Sequence, residues 1–183
     1  MRNPSLILAA ALALAGCAGG STITNSYYNS GYTPSHVTLA AANNPAQAVI
    51  RGNPFAGDAD DRGVIAAMQG RNFGPRIYYA PTPRPGDIYG YKVVMSFNGV
   101  GPNNYDLCKS PPAPPKPSGT ARIDASAAFC VGEVLLTDAS GHVTGATGPD
   151  DPKFKALVSD LILALTPPYD PNRVSDDCRG PGC

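Results

Sequence analysis

The chain has 183 residues, with 14 Lys or Arg against 14 Asp or Glu, so its formal net charge is zero. No stretch concentrates the basic residues, which excludes the basic patch or stripe on which nucleic-acid binding depends. Gly and Pro contribute 20 residues each, about 22 % together and just under the roughly 25–30 % of low-complexity chains, so one small ordered domain with loose ends is expected.

The N-terminus reads as a targeting signal. Arg2 supplies its positive start, and Leu6 to Leu14 form an apolar run that is shorter than the roughly 20 residues of a membrane span. The run ends in Leu14-Ala15-Gly16-Cys17, which resembles the lipobox of bacterial lipoproteins. The resemblance implies removal of residues 1–16, a diacylglyceryl group on the Cys17 thiol and an acyl group on its new amine. The first partner it implies is therefore the lipid bilayer, reached through the acyl chains on Cys17. Each buried methylene contributes ~0.8 kcal/mol, so two or three chains anchor a protein stably. It also implies a cell-envelope location; Ala18 in place of Asp after the cysteine favours the outer membrane, with periplasmic face and cell surface both open.

Residues 17–35 are expected to be the lipidated cysteine followed by a flexible tether, because 18–35 carry almost no aliphatic side chains and no charge. Such a segment has a root-mean-square span of about 25 Å and a limit of ~60 Å, enough to hold a domain clear of the headgroups. Tyr27, Tyr28 and Tyr32 are read as solvated tether residues.

Residues 36–166 are expected to form a single domain. His36 to Ala41 and Gln47 to Arg51 are short strand candidates around the turn cluster Asn43-Asn44-Pro45. The segment Asp58 to Gly63 opens a short helix with Val64, Ile65 and Met68 on its apolar side, and Asp60 or Asp61 as its cap. Gly70 closes it. Prolines make 74–87 a loop. Tyr89, Tyr91, Val93, Met95 and Phe97 occupy alternate positions of a strand. A second long strand runs from Arg122 to Thr137, with Gly132 as a bend or bulge. Asp138-Ala-Ser-Gly141 supplies hairpin-turn chemistry that returns the chain as His142 to Ala146. Asp151 and Pro152 start the best helix, Phe154, Leu157, Val158, Leu161 and Leu165 form its stripe, and Pro167-Pro168 stops it. The tail, 167–183, is expected to be loosely ordered.

This order of elements gives an α+β class, an antiparallel sheet with two helices packed on it. The pattern is similar to small domains of Gram-negative envelope lipoproteins; curli-secretion lipoproteins and penicillin-binding-protein activators share the general architecture. The similarity lies in patterning and carries no functional residue across.

Export would place the remaining cysteines, Cys108, Cys130, Cys178 and Cys183, in an oxidising compartment, where an even count suggests two disulfides with three possible connectivities. Local pairing is preferred: Cys108 with Cys130, stapling a long loop over the sheet, and Cys178 with Cys183. No CxxC occurs and the two histidines lack ligands at useful spacing, so neither a metal nor another cofactor is expected. Asp58-x-Asp60-x-Arg62-Gly63 begins like a calcium loop but places Arg62 at a ligand position and Gln69 where the closing Glu belongs. With one glutamate, no GxSxG and no P-loop, no catalytic residue is assigned; a pair built from Asp124 and Asp138 is the one carboxylate candidate.

The segment 98–120 is far longer than the ~4–6 residues of an ordinary connection. Its Pro111, Pro112, Pro114, Pro115 and Pro117 favour a stiff polyproline-like arm suited to docking a partner. The resulting expectation is a noncatalytic, lipid-anchored protein that binds another envelope component, a protein or the cell wall. The alternatives are an envelope hydrolase whose Asp and His groups gather only in the fold, and a surface-exposed adhesin or antigen.

Overall fold

A computed structural model describes residues 20–55, 61–99, 107–109 and 121–170. Nine elements follow in chain order: β1 (Thr22–Tyr28), α1 (Ser35–Ala42), β2 (Ala46–Arg51), α2 (Arg62–Met68), β3 (Tyr79–Ala80), β4 (Tyr91–Phe97), β5 (Arg122–Val131), β6 (Val134–Thr144) and α3 (Pro152–Leu165). The six strands form one sheet in the order β1-β6-β5-β4-β2-β3. The class is α+β, with two corrections to the expected form. The sheet is mixed, because β2 runs parallel to both β4 and β3 while the other pairs are antiparallel. The described helices number three, not two. Parallel neighbours need a crossover, and the chain that leaves β2 passes through α2 before β3 and β4.

Two elements lie where the sequence suggested otherwise. The expected tether is a strand from Thr22 onward. In Thr-Ile-Thr-Asn-Ser-Tyr-Tyr, β-branched and aromatic residues suit a pleated edge even though little of the strand is buried. It pairs antiparallel with β6, with Thr22 opposite His142 and Tyr28 opposite Thr137. The expected strand at His36 is helix α1, which buries Val37 and Ala40 three positions apart. A short apolar run does not by itself distinguish strand from helix, and the alanines 40–42 decide for helix once the chain must turn back toward the sheet. Tyr32, read as solvated, is completely enclosed and donates to the Pro167 carbonyl at 2.8 Å.

The hairpin also moves. The turn is Gly132-Glu133, with Val131 opposite Val134 and Gly132 at a φ of 58° that only glycine adopts without strain. Asp138 to Gly141, expected as the turn, lie inside β6. Gly141 is there for space: a Cβ on it would sit 2.6 Å from the Thr22 carbonyl oxygen and 3.2 Å from Leu157 Cδ1.

The main core lies between the sheet and the helices. Tyr91, Val93, Met95 and Phe97 of β4, with Ile123, Ala125, Ala127 and Phe129 of β5, face Phe154, Leu157, Val158, Leu161 and Leu165 of α3. The helix stripe is as expected, with Ile162 added to it. Tyr91 stacks on Phe129 and Phe154 meets both Phe55 and Phe97. Asp151 caps α3: one carboxylate oxygen accepts from Lys153 N at 2.9 Å, the other from Thr147 N at 3.0 Å. Of the two caps expected at α2, Asp60 lies outside the described residues. Asp61 occupies the N-cap position at φ 58°, but its carboxylate accepts from Asn53 Nδ2 at 2.8 Å, not from the helix backbone. Gly70, at φ 61°, follows the end of α2 as expected.

Candidate binding face

The alternate side chains of the strands point away from the helices and build a second, smaller layer. Val94, Ala128, Cys130 and Leu135 form its apolar part, covered by Leu107 and Cys108. The cover is covalent. Cys108 and Cys130 form a disulfide with a Cα–Cα separation of 5.7 Å, both residues fully buried. This is the local pairing expected from sequence, and it holds residues 107–109 against the middle of the sheet.

Beside that patch the register places a polar row across five strands: Arg51 opposite Ser96, Ser96 opposite Ser126, Ser126 opposite Ser140, and Ser140 opposite Asn25. The hydroxyls of Ser126 and Ser140 are 3.2 Å apart and hydrogen-bonded. Ser96 is nearly enclosed, because Gly99 folds over it so closely that a Cβ there would come within 2.7 Å of its hydroxyl oxygen. Arg51 Nη2 donates to the Lys109 carbonyl at 3.2 Å, which ties the row to the disulfide-held segment. Its Nη1 is enclosed with no hydrogen-bond partner among the described residues. Burial holds the Arg51 guanidinium below its ordinary range, since removing water penalises the charged form.

On either side of this row lie the two aspartates considered above. Asp138 is buried, opposite Ala128, while Asp124 lies opposite His142 at the other end. Four positions separate them along the ladder, about 13 Å at the strand rise, whereas carboxylates sharing one reacting bond stand roughly 5–9.5 Å apart. The fold therefore does not bring Asp124 and Asp138 together. Asp124 instead receives Arg122 Nε at 2.9 Å and Nη2 at 2.7 Å in a half-exposed pair. His142 Nδ1 is enclosed without a partner among the described residues. His36 lies on the helix side, with Nδ1 2.9 Å from the Tyr91 hydroxyl and Nε2 3.2 Å from the Gly31 carbonyl, a role in packing.

Among the described residues no group of three or more His, Cys, Asp and Glu could hold a metal ion, and no helix is long and apolar enough to cross a membrane. Cys17, Cys178, Cys183 and the five prolines of 111–117 lie outside the described residues, as do Asp58 and Asp60 of the calcium-like stretch. The sequence reading missed the row of Arg51, Ser96, Ser126 and Ser140. Its signal was the serine placed between apolar positions of each strand, which marks the face turned from the core.

Chemically, the row offers the half-buried hydroxyls of Ser126 and Ser140, while the Ser96 hydroxyl is covered by Gly99 and Arg51 is tied to the Lys109 carbonyl. The serine hydroxyls of β5 and β6 bond one another. Such a surface suits recognition of a polar, hydrogen-bonding partner. Comparison with protein-family models, with curated proteins and with solved structures finds no match for this chain.

Proposed function

We propose that the protein is a noncatalytic, lipid-anchored component of the bacterial cell envelope, outer membrane favoured, that binds another envelope component with the sheet face turned from its helices. The observation that carries this reading is the Cys108–Cys130 bond. Disulfides persist in oxidising compartments, which agrees with export through the signal ending at Cys17. The bond also gives the 98–120 segment a fixed base on the candidate face, and a pre-positioned base lowers the ordering cost of docking. Pro111 to Pro117 would then be the arm presented to the partner.

Two measurements test the reading. Metabolic labelling with a fatty acid should mark the wild type and not Cys17→Ser; equal labelling of both removes the lipoprotein reading. Cross-linking in native envelopes, with recovery and mass spectrometry, should yield a partner whose recovery falls when 111–117 is replaced by Gly and Ser at equal length. Undiminished recovery would leave that segment a spacer.

A further inference from the structure

From Ser21 onward the expected tether belongs to the domain and is not free chain. Ser21 is already tied to the domain, its hydroxyl donating to the Asp160 carboxylate of α3, and the next residue begins β1. From Cys17 to Ser21 are four peptide steps, a reach of about 14 Å when fully extended, against the ~60 Å of an 18-residue tether. The attachment point is also specific. Thr22 lies opposite His142 at the end of the sheet where β6 finishes at Thr144 and β5 begins at Arg122. Thr144 is two residues from His142, so its Cα lies within about 10 Å of that of Thr22. The hairpin tip at Val134 is ten residues away along β6, about 33 Å.

We propose that this end of the domain, with Thr22, Arg122 and Thr144 at its rim, is seated on the phospholipid headgroup surface, leaving the Gly132 hairpin as the pole that faces away from the bilayer. The proposal rests on the anchoring of Cys17 proposed above. Lying instead on its β1 side, the domain would press the unpaired backbone groups of an edge strand against lipid and cost them water. The seat is set by chain length: of the cations at this end, Arg122 pairs with Asp124 and Lys155 with Asp150 at 2.8 Å, while the Lys153 ammonium stands beside Gly145. Exposed apolar side chains gather at the other pole, where Ile88, Tyr89 and Val134 flank the bond from Gly132 N to the Gly90 carbonyl.

The chain contains no tryptophan, so a single introduced indole reports position without background. The full lipidated protein carrying Thr144→Trp or Val134→Trp, both exposed sites, is reconstituted into phosphatidylcholine vesicles doped with a nitroxide-headgroup phosphatidylcholine. Fluorescence quenching at 144 should exceed that at 134 by about threefold or more, given the ~33 Å between them. The excess should survive high salt, and fifteen Gly/Ser residues inserted between Gly19 and Gly20 should abolish it. Fatty-acid content is measured on the same samples. Protein without fatty acid would overturn the anchor, and the seat with it. Lipidated protein quenched equally at both positions, or unaffected by the insertion, would overturn the seat alone.

Discussion

Gly141→Ala tests the packing of β1 and α3 on β6 most directly. An alanine Cβ at this position would lie 2.6 Å from the Thr22 carbonyl oxygen, 3.1 Å from Ile23 Cδ1 and 3.2 Å from Leu157 Cδ1. The nearest of these atoms is backbone, so it cannot rotate aside; β1 must move off β6 or α3 must shift. Overpacking a filled site costs about 1–3 kcal/mol, and the backbone contact places this change at the upper end. For a domain of this size, 2–3 kcal/mol corresponds to a fall in Tm of about 5–10 °C. Urea unfolding followed by circular dichroism gives the free energy, and hydrogen exchange locates it, with lost protection concentrated in the β1 amides. Gly132 is the internal control. Its φ of 58° demands a left-handed residue, yet an added Cβ meets nothing, so Asn should be better tolerated than Ala at 132. At 141, where volume decides, Ala should be better tolerated than Asn. Gly141→Ala within about 0.5 kcal/mol of the wild type, or Asn outperforming Ala there, would refute the packing argument.

Reducing the Cys108–Cys130 bond, which closes a 22-residue separation, should lower stability by about 3 kcal/mol on the chain-entropy account; unfolding midpoints that coincide with and without reductant would contradict it. Tyr32→Phe removes the donor to the buried Pro167 carbonyl and should cost about 1–3 kcal/mol in urea unfolding. Burial also raises the Tyr32 hydroxyl well above its ordinary range, with Tyr28 and Asp170 adding to the effect. The folded state therefore resists its ionisation, so stability is full below about pH 10 and falls above it; the alkaline limb should be shallower in Tyr32→Phe. The Asp151 carboxyl is held below its ordinary range by the backbone N–H groups of Lys153 and Thr147. Its contribution is complete above the unfolded pKa of about 4 and is lost as pH falls through the folded value. Asp151→Asn should flatten that part of the acid limb, as a pH series of melting curves would show.

Local chemistry determined a good deal of this protein in advance. The alternation of Tyr91 to Phe97, the stripe of α3 and its Asp151-Pro152 start were legible because each depends on periodicity or capping within one segment. The Cys108–Cys130 pairing was legible because a strand and the long segment preceding it leave few competing partners. What the segments could not specify was how they meet. Glycine marks a turn through its φ and a close approach through its missing Cβ, and the letters at 132 and 141 are the same. Only the arrival of β1 and α3 on β6 assigned one meaning to each. The stretch 22–28 is polar enough to read as free chain, and it became a strand because β6 offers an open edge to pair with. The row from Arg51 to Ser140 draws one member from each of four strands, β2, β4, β5 and β6, far apart in the chain. Register across the sheet is a property of strand pairing, and so the candidate face was decided in the tertiary structure alone.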